Sequence, residues 1–158
     1  MTSLTLRQAA LTDTPTLIEL MRAAHAEAGF ELNHELAAAA FEKLLRDESL
    51  GLAWIASRAT RHEGYIALTF KLSLESGGVD AFVEDLFVRR EARRSGVGSA
   101  LLSTALDACR SRQISAVHVD VGTTNETART LYEKFGLKNR DRLLLTSELR
   151  ANLMATLP

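Results

Sequence analysis

Val83-Glu84-Asp85-Leu86-Phe87-Val88, running through Arg89 to Ser95 into Gly96-Val97-Gly98, is the stretch that decides the fold. Its first part is apolar and β-branched around two acids and reads as the end of a strand over 80–88, while the glycines open a helical pattern that continues to about Arg112. A helix start exposes unpaired amides and about half a positive charge. Glycines there let an anion reach the amides with no Cβ in the way. Arg93 and Arg94 would add charged hydrogen bonds, so the turn reads as a phosphate-binding one.

Other nucleotide loops do not fit. The dinucleotide fingerprint needs a third Gly or Ala where this chain has Leu101, and no G-x-x-x-x-G-K-[ST] sequence occurs. Read alone, Gly-x-Gly also fits an ordinary helix start beside a solvated arginine face.

Upstream, Leu4 to Arg7 alternates as a short strand. Thr12 or Asp13 before Pro15 starts a helix over roughly 13–28 that Gly29 ends. A second helix begins near Asn33 and presents Leu36, Ala40, Phe41, Leu44 and Leu45. Apolar runs at 52–58, 64–72 and 80–88 are separated by turn chemistry at Thr60 to Glu63 and Glu75 to Gly78, and read as an antiparallel meander. Downstream come a strand over 116–121 and a helix from about Thr124 to Phe135, with Thr123 and Glu126 forming a capping box. Leu143 to Leu149 reads as a final strand. The expected class is α/β (α+β): a mixed, mostly antiparallel sheet with one parallel pair, flanked by helices.

Composition limits the function. The 158 residues suit one domain over 1–158, and 46% hydrophobic with 25% charged residues is ordinary for a globular chain. No signal peptide or membrane-length apolar run is legible, so a cytoplasmic location without membrane attachment is expected. A net charge of −1 argues against broad capture of nucleic acid. Cys109 is the sole cysteine, and the four histidines show no ligand spacing with it, so no metal is expected. Cys109 reads as a buried apolar residue, and His118 as a structural histidine with no identifiable partner.

Arg93-x-x-Gly96-x-Gly98, placed after the strand Glu84 to Val88, resembles the acetyl-CoA motif [QR]-x-x-G-x-[GA] of the GNAT superfamily of N-acetyltransferases. Asn125-x-x-Ala128-x-x-x-Tyr132-x-x-x-Gly136-Leu137 looks like the second half of that signature, and the order of elements before it agrees with the family. The resemblance implies that backbone groups of Leu86, Phe87 and Val88 bind the acetyl and pantetheine portion, and that Arg93, Arg94, Ser95, Gly96, Val97, Gly98 and Ser99 hold the pyrophosphate. It implies that Asn125 contacts pantetheine and that strands 80–88 and 116–121 splay around the cofactor, acetyl-CoA. Only about twelve residues, Leu137 to Glu148, follow where the family often has a longer hairpin, and a homodimer is a family-level expectation.

Transfer to an amine requires a neutral nucleophile, a polarised carbonyl and a proton for the departing thiolate. An alkyl ammonium of pKa ~10.4 costs ~4–5 kcal/mol to neutralise at pH 7, so a base is useful. Strict alternation would put Glu84 with Phe82, Leu86 and Val88 on one face and Asp85 with Val83 and Phe87 on the other, so that only one acid meets the amine. The resemblance favours Glu84 as that base and Tyr132 as the hydroxyl near the sulfur. Tyr132 also fits a core tyrosine on the Ala128, Leu131 and Phe135 face, and Glu84 a carboxylate that neutralises nearby arginines. Backbone amides of the splayed strand that the resemblance implies are the expected polarisers of the carbonyl, and transfer is expected to be direct.

The resemblance places the acceptor wall largely on the first two helices and their loop, about 22–35, with help from strand 64–72 and the C-terminal hairpin. Its acids Glu27, Glu31 and Glu35 would suit a cationic small-molecule amine such as a polyamine, or a peptide lysine. The alternative functions are a non-catalytic acyl-CoA-binding sensor or interaction module and, disfavoured by the interleaved glycines, a nucleic-acid binder.

Overall fold

The computed structural model describes residues 2–150. Strand β1 (Leu4–Gln8) is followed by helices α1 (Thr14–Ala28) and α2 (His34–Arg46), strands β2 (Gly51–Arg58), β3 (Arg61–Ser73) and β4 (Gly78–Val88), helix α3 (Val97–Ser111), strand β5 (Val117–Val119) and helix α4 (Glu126–Lys134). The five strands lie in the order β1-β2-β3-β4-β5, antiparallel except for the parallel pair β4 and β5. This is the expected mixed sheet flanked by helices.

Local chemistry accounts for most boundaries. Pro15 sits in the first turn of α1, and Gly29 closes that helix at φ 82°, a left-handed conformation that glycine adopts without Cβ strain. The Asn33 side chain caps α2 by accepting from the Leu36 amide at 3.1 Å. The turn expected at Thr60 to Glu63 is tighter: Arg58 already pairs with Arg61, leaving Ala59 and Thr60 as a two-residue hairpin loop. The cap of α4 also differs from the expected Thr123 and Glu126 pair. Asn125 is its N-cap, accepting from the Ala128 amide at 3.1 Å.

Each sheet face has its own core. Leu52, Trp54, Ile66, Leu68, Ala81 and Val83 pack against Leu101, Leu102, Ala105 and Cys109 of α3 and Tyr132 of α4. On the other face, Ala53, Ile55, Tyr65, Ala67 and Phe87 pack against Leu17 and Leu20 of α1 and Phe41 of α2. Cys109 is buried, as its helical stripe predicts.

The final strand expected over 143–149 is absent. Residues 142–149 carry no regular structure, and Leu143, Leu144, Leu145 and Leu149 are exposed. Strand propensity reflects packing and pairing across a sheet, and this segment has neither.

Candidate active site

A bulge in β4 organises the site. Ala67 pairs with Asp85 but the next residue of β3, Leu68, pairs with Val83, so β4 advances two residues against one and Glu84 has no partner. Facing changes parity there. Ala81 and Val83 before the bulge, and Leu86 and Val88 after it, all contribute to the α3 side, whereas Phe87 contributes to the α1 side. Glu84 and Asp85 consequently share the α1 face: Glu84 accepts from the Thr69 hydroxyl at 2.6 Å, and Asp85 accepts from the hydroxyl of Tyr65. The expectation that alternation separates the two acids is therefore corrected. The run Ala81, Val83, Leu86, Val88 carried the signal, since its period of two slips by one at the adjacent acids.

The same region of β4 parts from β5. Their pairing is confined to Ala81–Val83 with Val117–Val119, so the β4 edge from Glu84 onward has no β5 partner. A cleft of about 190 Å³ opens there and brings together Glu84, Asp85, Leu86, Asn125 and Tyr132. Four of these five were singled out from the sequence. A larger groove of about 730 Å³ lies between α1 and α2 and is lined by none of them. The small cleft is the better candidate because it joins free backbone edge, carboxylates and a buried hydroxyl.

Tyr132 is only 7% exposed, and its hydroxyl makes no hydrogen bond among the described residues. Burial first, and then the charge of Asp85, push its pKa up to about 12. Burial raises the Asp85 carboxyl above its usual range, with Glu84 adding to the rise, while the Tyr65 hydroxyl and the positive field of His25 oppose it. Tyr65 is fully buried, which together with Asp85 holds its hydroxyl protonated.

The arginine and glycine turn lies beyond the end of β4. A 3-10 turn at Arg90–Ala92 leads to Arg94 at φ 60° and Gly96 at φ 85°, two left-handed residues flanking Ser95. The first helical bond of α3 runs from the Ala100 amide to the Gly96 carbonyl at 2.9 Å, so the amides of Val97, Gly98 and Ser99 precede it and have no acceptor within the helix. A Cβ on Gly98 would meet Leu131 at 3.5 Å and Val88 at 3.7 Å, ordinary contacts, and one on Gly96 would meet nothing. Protein packing does not demand glycine at either place; the left-handed φ does at Gly96, and close approach of a ligand would at Gly98. The free amides, the glycines and the open β4 edge fit a pyrophosphate joined to an extended, amide-bearing arm.

The two arginines differ. Arg94 is exposed and makes no ion pair among the described residues. Arg93 is engaged within the protein: Nε donates to the Val88 carbonyl at 2.9 Å, Nη2 pairs with Glu27 of α1, and the guanidinium lies 5.9 Å from the Phe87 ring centroid. Glu27 is thus an anchor for the turn rather than a free acid of an acceptor wall. Arg58 is a further support that sequence reasoning missed. Its guanidinium pairs with Glu63 at 3.2 Å and donates to the Ser95 hydroxyl at 3.3 Å, a contact across 37 residues that no local pattern announces. His118 also gains a partner, Asp80 at 3.0 Å, and packs against the Phe82 ring. Among the described residues no cluster of three or more His, Cys, Asp or Glu could hold a metal ion, and no helix is long and apolar enough to cross a membrane.

Solved structures share this fold. An integron cassette protein from the mobile metagenome of Cole Harbour Salt Marsh is 36% identical, with a TM-score of 0.84 over 92% of this chain and 90% of that one. A predicted acetyltransferase from Clostridium acetobutylicum, solved with acetyl-CoA, is 18% identical and superposes at a TM-score of 0.79 over 92% of this chain and 96% of that one. An aminoglycoside acetyltransferase from an uncultured soil metagenomic sample, solved with sisomicin, is 18% identical with a TM-score of 0.77 over 92% and 95%. At those identities the last two show the fold alone. Comparison with curated proteins gives no match. The acetyltransferase (GNAT) family model, however, matches residues 16–137, a span that includes the bulged strand, the glycine turn, Asn125 and Tyr132, and the chain belongs to that family.

Proposed function

We propose that the protein is an N-acetyltransferase that moves the acetyl group of acetyl-CoA directly to a primary amine of a small molecule or peptide. The observation that carries the reading is the opening between β4 and β5, where Tyr132, Glu84 and Asp85 line one cleft beside an unpaired strand edge. When bound, acetyl-CoA supplies an acetyl thioester reactive toward amines.

The chain's own groups divide the remaining work. Amides of Val97, Gly98 and Ser99, with Arg94, hold the pyrophosphate, and the β4 edge at Leu86 to Val88 with Asn125 orients the pantetheine arm. The amides of that edge polarise the acetyl carbonyl. Tyr132 keeps its proton at Oη across the physiological range and supplies a hydrogen bond to the departing sulfur. A β4 carboxylate receives the proton of the amine; Glu84 is the candidate named from sequence, and the bulge adds Asp85. Two acids on one face favour a cationic acceptor by local electrostatics. The reading includes a single domain over 1–158 and a homodimer, the latter supported by the exposed leucines of 143–149 and tested by light scattering.

Thiol release from acetyl-CoA across polyamines, amino acids, aminoglycosides and lysine peptides tests the proposal. Release above hydrolysis with at least one amine is expected. Tight acetyl-CoA binding without release for any amine would replace it with an acyl-CoA sensor.

A further inference from the structure

We infer that Asp85, positioned by Tyr65, is the base that takes the proton of the acceptor amine, and that Glu84 at the mouth of the cleft receives the acceptor's charge. This rests on the N-acetyltransferase reading and assigns its proton transfer to a residue that strict alternation would exclude.

The geometry separates two adjacent carboxylates by role. Because Glu84 is the unpaired residue of the bulge, both acids lie on one face, yet their surroundings differ. Glu84 is exposed and tied to the Thr69 hydroxyl at 2.6 Å. Asp85 is largely shielded from solvent, held from below by the hydroxyl of a fully buried tyrosine, and lines the cleft that also contains Tyr132. A solvated carboxylate is a weak base toward an ammonium, whereas one withdrawn from water gains by becoming neutral. The groups that face Asp85 are Tyr65 from β3, Glu84 on its own strand, His25 from α1 and Tyr132 from α4. His25 donates through Nδ1 to the Met21 carbonyl at 2.9 Å.

The step balances without a further reactant. One N–H bond of the ammonium breaks and an O–H bond forms on Asp85, so an ion pair becomes a neutral acid and a neutral amine. Tyr65 keeps its own proton throughout and donates to the same carboxyl. As the C–N bond forms and the C–S bond breaks, the second N–H proton would pass to the departing thiolate, and the proton on Asp85 returns to water after product leaves.

Two measurements on the full chain test this. Without acceptor, a carbon-13 carboxyl NMR titration of wild type, with Asp85→Asn for assignment, should show Asp85 titrating above the ordinary carboxylate range, and further upward in Tyr65→Phe, which removes a donor to the charged form. With an amine found by thiol release, Asp85→Asn should lower kcat about 100-fold. Glu84→Gln should chiefly raise KM and, by removing a neighbouring negative charge, move the acid limb of kcat/KM slightly to lower pH. Tyr65→Phe should move that limb to higher pH while acetyl-CoA affinity and Tm stay near wild type, a shift that a merely structural tyrosine would not cause. An Asp85 that titrates in the ordinary range, an Asp85→Asn variant within threefold of wild-type kcat, or a limb unmoved by Tyr65→Phe would overturn the assignment. Absence of turnover in wild type with every amine would instead remove the N-acetyltransferase reading beneath it.

Discussion

Arg93 binds Glu27, fastening the turn that precedes α3 to the end of α1. Both side chains are partly solvated, so the pair stabilises by roughly 0.2–1 kcal/mol. Its effect is positional, because the same guanidinium also holds the Val88 carbonyl. Glu27→Gln is expected to weaken acetyl-CoA binding about two- to fivefold by isothermal titration calorimetry. Were Arg93 only a phosphate ligand, freeing it from Glu27 would leave binding unchanged or tighten it.

The two glycines of the turn should respond in opposite ways. Gly96→Ala forces a Cβ into a left-handed residue and is expected to cost about 1 kcal/mol of stability. Gly98→Ala meets only ordinary contacts, so its urea midpoint should match wild type while acetyl-CoA affinity falls at least tenfold. Unchanged affinity in Gly98→Ala would show that no ligand approaches there.

Tyr132→Phe should reduce kcat by about 100-fold, within the range for a lost hydrogen bond to developing charge, and alter acetyl-CoA affinity less than twofold. Burial raises the Tyr132 hydroxyl to about 12, so the group stays protonated throughout an assay between pH 6 and roughly 10. No alkaline loss of rate from Tyr132 is expected in that window. A limb near pH 9 that disappears in Tyr132→Phe would contradict the assignment of a proton held this firmly.

Acid stability has a distinct origin. Asp13 accepts from Arg7 at 2.6 and 2.7 Å and from the Ala10 amide at 2.8 Å, joining β1 to the start of α1. The Arg7 hydrogen bonds lead the causes that hold the Asp13 carboxyl below its usual range. A folded-state pKa below the unfolded value stabilises fully above the unfolded pKa of ~3.9, and that stability is lost as pH falls through the folded value. Asp13→Asn is therefore expected to cost about 1–3 kcal/mol at pH 7 by urea denaturation, and the gap from wild type should narrow below pH ~4.

Legibility followed the range of the interactions. Helix starts at Pro15 and Asn33, the stop at Gly29 and the turn at Gly96 are decided within a few residues, and each was readable. The family motifs were likewise readable, because Glu84, Leu86, Asn125 and Tyr132 stand at fixed spacings and the fold brings them to one cleft. What escaped depends on partners distant in sequence. Arg58 reaches Ser95, Asp80 reaches His118, and the bulge at Glu84 is defined by the register of β3. The leucines of 143–149 had the composition of a strand, but a strand exists only where another accepts its hydrogen bonds.

The odd residue in β4 also makes this strand tolerant of losing one residue at that place. Removing Glu84 would restore uniform pairing with β3 while Val83 keeps Leu68 and Asp85 keeps Ala67. Leu86 and Val88 would then stay with α3, and Phe87 with α1. A substitution at Glu84 tests chemistry with the bulge kept, whereas a single-codon deletion there would remove the local bend and twist and leave the contents of both cores in place.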